Sequence, residues 1–83
     1  MHKRLTFHIH KLKYDKCMSF YKDYNGKLST VQPERNPESD FIEVEMYFDD
    51  VNKMHKFIYK CFMLFGVYFY IDELINKQIV FWS

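Results

Sequence analysis

Residues 4–13, RLTFHIHKLK, alternate apolar and polar side chains. Leu5, Phe7 and Ile9 fall on one side of an extended chain, and Arg4, Thr6, His8 and His10 on the other. This is the pattern of a strand with one buried face. The alternation returns in FIEVEMYF (41–48), where Ile42, Val44, Met46 and Phe48 oppose Glu43, Glu45 and Tyr47. Between these segments, Asn25-Gly26 is the dipeptide of a type I′ turn, whose two central residues need positive φ. A hairpin with strands at about 17–24 and 27–32 is therefore expected, with YDK (14–16) as a tight turn before it. Cys17, Phe20, Tyr21 and Tyr24 also fit i, i+3, i+4, i+7 spacing, which makes a helix over 15–24 the competing reading. PERNPESD (33–40) reads as a polar loop with two prolines, outside the core and mobile.

The period then lengthens. Val51, Met54, Ile58, Cys61, Phe62 and Phe65 form a helical stripe, with Lys53, Lys56 and Lys60 on the other side. Asp49 or Asp50 is the expected N-cap and Gly66 the expected C′ residue of a helix over about 50–65. Its last turn, CFMLF, is apolar nearly all round, so that end is expected to be buried or covered. VYFYI (67–71) and QIVFW (78–82) read as strands joined by a turn through DELINK. The first is apolar on both faces and is expected at the centre of the sheet. The predicted fold is α+β: a mostly antiparallel sheet of about five to six strands, with the helix packed on one face.

Composition narrows the function classes. Eighty-three residues suit one domain, 1–83, with the polar loop at 33–40 inside it. Nine Phe, seven Tyr and one Trp are more aromatic surface than so small a core needs, so some should reach the surface as partner contacts. The longest apolar run, CFMLFGVYFYI, is about half of what a spanning helix requires and is broken by Gly66, so no membrane partner is expected. MHKR is basic but no h-region follows, so no export signal is expected. The expected compartment is the cytoplasm, the host's in the case of a viral protein. Cys17 and Cys61 form no CxxC and are expected as reduced, buried thiols. Lys outnumbers Arg ten to two, alanine is absent, and residues with AT-rich codons abound. That usage points to a phage or another AT-rich element.

Net charge is +1, but it is unevenly placed: +5 over residues 1–30, −6 over 31–50 and +2 over 51–83. The basic and acidic segments either neutralise each other in the fold or present opposite faces to partners. His8 and His10, two residues apart on one strand face, raise the question of metal. A zinc site needs three or four ligands, and no further ligand stands at a diagnostic spacing. No metal or other cofactor is expected. Glu43 and Glu45 share a face as paired carboxylates do in glycosidases, but a wet strand face carries such pairs for solvation. No nucleotide-binding or nucleophile motif is present, so no catalytic residues are assigned.

Two binding readings remain. The first is a small non-enzymatic protein that inhibits or modulates a host factor, such as a toxin nuclease, a defence enzyme or a transcription factor, by occlusion. Glu43 and Glu45 are then candidate partner contacts. The alternative is an RNA- or single-stranded-DNA-binding module. Its basic strands would present Lys3, Arg4, His8, His10, Lys11, Lys13 and Lys16, with tyrosines interleaved. Nucleic acid could also bridge the protein to its target. A homodimer formed by edge pairing is a third arrangement.

Overall fold

The computed structural model describes residues 3–71. Strand β1 (Lys3–His10) leads through a 3-10 turn at Lys11–Lys13, the short helix α1 (Tyr14–Met18) and a second 3-10 turn at Tyr21–Tyr24 into β2 (Gly26–Pro33). Strand β3 (Phe41–Phe48) follows, then helix α2 (Val51–Phe65), a 3-10 turn at Gly66–Tyr68, and β4 (Phe69–Ile71). The four strands form one antiparallel sheet in the order β2-β3-β1-β4. The chain thus follows β-α-β-β-α-β, the split β-α-β (ferredoxin-like) topology. Such a topology carries no function by itself.

The α+β class, the antiparallel sheet and the one long helix agree with the sequence. The strand count is lower: four among the described residues. The expected strand at 78–82 lies outside the described residues, as does the DELINK turn. The expected strand at 17–24 is not formed. Those residues coil as α1 and a 3-10 turn, because their apolar spacing lets Cys17 and Phe20 reach the core from a helical backbone. Asn25 takes the left-handed conformation (φ 60°, ψ 26°) as the cap of that turn rather than as part of a hairpin. β1 also ends at His10, three residues early, and the YDK turn is the start of α1.

α2 begins where Asp50 accepts the Asn52 backbone N–H at 2.8 Å. It ends at Gly66, whose φ of +52° few residues with a Cβ adopt. Its buried side is Met54, Phe57, Ile58, Cys61 and Phe65. These pack against Leu5, Phe7 and Ile9 of β1, Val44, Met46 and Phe48 of β3, and Phe69 and Ile71 of β4. Phe57, which the sequence stripe omits, is central. Its ring lies 5.8 Å from Phe7, 5.8 Å from Phe20, 5.5 Å from Phe48 and 6.1 Å from Tyr24. It therefore joins β1, β3 and the second half of the first crossover. β4 stands at the margin of the described sheet, not at its centre; Tyr70 occupies its other face among polar groups.

The cysteines meet in this core. Cys17 Sγ and Cys61 Sγ lie 3.9 Å apart, and both are free thiols. Burial, then the Cys17 contact, pushes the Cys61 thiol well above its ordinary range. A raised thiol pKa stabilises the fold below the unfolded-state value of about 8.5, and the gain is lost as pH rises above it.

Phe57→Ala is expected to cost about 3–5 kcal/mol in urea unfolding, which is most of the stability of a domain this size. Neither thiol is expected to react with a disulfide reagent in the native protein, whereas both should react in denaturant. Stability should fall above about pH 8.5, and less steeply in Cys61→Ala.

Candidate functional site

The full eight-residue pairing of β1 with β3 decides what the polar sheet face looks like. The register sets Arg4 beside Tyr47, Thr6 beside Glu45, His8 beside Glu43, and His10 beside Phe41. Directly paired residues share a face, so the basic strand and the acidic strand confront each other. Arg4 Nη1 lies 3.5 Å from Glu45 Oε2, and the Ser29 hydroxyl donates to Glu45 Oε1 at 3.2 Å. The expected acidic and basic segments are one mixed surface here, not two opposed ones.

His8 is not on a wet face: only 7% of it is exposed. The polar loop expected at 33–40, outside the core and mobile, returns Glu34 over it. His8 Nδ1 donates to Glu34 Oε2 at 2.5 Å, and the Tyr70 hydroxyl donates to Glu34 Oε1 at 2.8 Å. The His8 and Tyr70 rings stack at 4.5 Å, 5° from parallel. Glu43 Oε2 faces His8 Nε2 at 3.9 Å. Arg35 and Asn36 complete a small polar cleft of about 310 Å³. Glu34 and Tyr70 were not singled out in the sequence. Neither alternation nor spacing shows a loop carboxylate reaching back 26 positions to a strand.

His10 sits in a second cluster at the end of β1. Its Nδ1 accepts the Leu12 N–H at 3.1 Å, its Nε2 lies 3.8 Å from Asp40 Oδ2, and its ring meets Phe41 and Tyr68 edge-on. Each of the two histidines thus commits Nδ1 to a different hydrogen bond. Among the described residues no three or more His, Cys, Asp or Glu side chains are grouped to hold a metal ion.

The remaining basic candidates disperse. Lys3 shares the strand side of Leu5 and Phe7, away from Arg4. Lys11 Nζ pairs with Asp40 at 3.3 Å, Lys13 Nζ stands 5.4 Å over the Tyr68 ring, and Lys16 is exposed on α1. No single stripe collects all seven.

A second surface stands on the outer side of α2. The CFMLF end of this helix is buried only on its inner side, at Cys61 and Phe65; on the outer side Met63 is 69% exposed, and Tyr59 one turn earlier is 66% exposed. With Leu64, Tyr24, His55, Lys56 and Lys60 they line a groove of about 670 Å³. At 100° per residue Met63 stands about 180° from Met54, so a helical wheel already sets it opposite the core stripe. Among the described residues no helix is long and apolar enough to cross a membrane. Comparison of the chain with protein-family models, with curated proteins and with solved structures finds no match in any of the three.

Glu34→Ala is expected to cost about 1–3 kcal/mol, because it leaves a nine-tenths buried imidazole without its carboxylate. Tyr70→Phe should cost less, about 0.5–1.5 kcal/mol. Chemical denaturation measures both, and faster amide exchange at 34–36 in Glu34→Ala would show that this contact holds the connection down.

Proposed function

We propose that this is a non-enzymatic binding protein that acts by occluding a partner protein, and that it docks through the outer side of α2. The observation that carries the reading is the apolar groove at Tyr59, Met63 and Leu64, edged by His55, Lys56 and Lys60. Large apolar side chains exposed together and rimmed by polar groups mark interaction sites. The core does not need these residues, since Met54, Phe57, Ile58, Cys61 and Phe65 already fill the inner side of the helix. The sheet face supports docking less well. Its carboxylates and cations are engaged with each other, and an exposed pair such as Arg4–Glu45 offers little to a partner of either sign. For a phage- or mobile-element-encoded chain, as its residue usage suggests, the partner is a host factor.

Single-stranded RNA or DNA at the basic connection is the second reading. It draws on Lys13 standing over the exposed Tyr68 ring, with Lys11 and Lys16 nearby in sequence.

Paired affinity purifications from lysate test the two, with and without nuclease. The expected result is a stoichiometric protein that survives nuclease and falls at least about tenfold in Met63→Asp, while Lys11→Glu/Lys13→Glu retains it. Met63 is outside the core, so the variant should fold. Loss of the partner on nuclease treatment or in the lysine variant would favour nucleic acid. Loss only in Glu43→Lys/Glu45→Lys would move the interface to the sheet.

A further inference from the structure

The chemistry of the α2 partner can be taken further, and this step rests on the docking reading just given. From Val51 to Phe65 there is no Asp or Glu, while Lys53, His55, Lys56 and Lys60 are all present. None of the residues lining the groove is acidic. His55, Tyr59 and Met63 follow one another at i, i+4, i+8 and make one ridge; Lys56, Lys60 and Leu64 make the next. Lysines therefore stand at the N-terminal part of one ridge and a histidine at that of the other, with apolar side chains at the C-terminal part of both. Lys60 Nζ is drawn back over the Phe20 ring at 4.9 Å, which leaves the apolar floor open. Tyr24 walls one side.

We infer that the groove takes an acidic amphipathic helix of the partner protein. Its apolar residues at i, i+3, i+4 and i+7 lie against Tyr59, Met63 and Leu64, and its Glu or Asp side chains meet Lys56, Lys60 and His55. Ridges four residues apart accept the ridges of another helix. An extended peptide would leave backbone N–H and C=O groups facing a side-chain surface with nothing to pair them. His55 to Leu64 spans about 14 Å of helix rise, so about two and a half turns of partner are covered. A second copy docked with its helix parallel would set Lys56 and Lys60 against cations of their own kind, and one docked antiparallel would cover those lysines with apolar side chains and no carboxylate, so both arrangements oppose self-pairing. A phosphate backbone would satisfy the lysines but leave Met63 and Leu64 wet.

The test uses the full chain and three synthetic helical peptides that share one Leu stripe and carry Glu, Gln or Lys on its flanks. Calorimetry or fluorescence anisotropy reads the affinities. The Glu peptide is expected to bind about tenfold more tightly than the Lys peptide or better, with the difference shrinking between about 0.05 and about 0.5 M salt. Binding should be lost in Met63→Asp, and Lys56→Glu/Lys60→Glu should invert the preference toward the Lys peptide. Equal binding of all three, still lost in Met63→Asp, would overturn the acidic partner and leave the docking face standing. Binding that persists in Met63→Asp would overturn both. Two further results would overturn the inference by naming another occupant. One is a dimer in light scattering that Met63→Asp disperses, which means a second copy. The other is a red shift of Trp82 emission in peptide-free Met63→Asp, which means residues 72–83 of the chain itself.

Discussion

The antiparallel pairing of β1 with β3 is the constraint on which the rest of the structure depends. All eight residues of each strand are in register, Lys3 with Phe48 through to His10 with Phe41. A period of two then does two things at once. It puts Leu5, Phe7, Ile9, Val44, Met46 and Phe48 on one face, where α2 and the first crossover close over them. It also puts Arg4 and His8 of one strand against Glu45 and Glu43 of the other. A slip of one residue would turn both sets over. On this face Arg4 and His8 are thus turned toward Glu45 and Glu43 rather than outward, while Lys11, Lys13 and Lys16 lie beyond the strand.

The functional reading follows from that. The sheet face is a closed polar network: Glu34 is held by His8 and Tyr70, and Glu45 by Arg4 and Ser29. Such a network gives one arrangement of the 34–40 connection, and its hydrogen bonds are directed inward. The helix layer is the reverse. Its inner side is filled by five buried residues, and its outer side still carries Tyr59, Met63 and Leu64 among lysines. Burying such side chains is worth about 25 cal/mol per Å² of apolar area, a gain that the described residues leave unused at Tyr59, Met63 and Leu64.

Much of the frame is legible in the sequence. β3 and α2 appear at their observed bounds to within a residue, because alternation and the helical stripe are strong there and Asp50 and Gly66 mark the helix ends. The first crossover is not legible in the same way. Asn25-Gly26 signals a hairpin locally, but Cys17 and Phe20 reach the core only from a coiled backbone, so tertiary burial overrides the turn signal. Phe57 escapes the stripe because it lies at the stripe's edge, although four aromatic rings surround it. The partners of His8 could not be read at all. A contact between a loop carboxylate and a strand imidazole leaves no periodic trace. CFMLF looks uniformly apolar in the sequence, but only Cys61 and Phe65 of that turn face fully inward, and Met63 and Leu64 stand on the outer side.

The methionine methyl groups give the most direct test that the outer side of α2 is the docking surface. Met46 and Met54 are buried, while Met63 stands in the groove. A carbon-13 methyl spectrum of the full chain would be recorded with a soluble paramagnetic probe, before and after addition of the protein it captures. The expected result is that the Met63 methyl shifts and loses its relaxation by the probe at saturation, while those of Met46 and Met54 stay in place. A Met63 methyl that remains unshifted and fully relaxed by the probe, while the ring signals of His8 and His10 move, would contradict it and return the interface to the sheet.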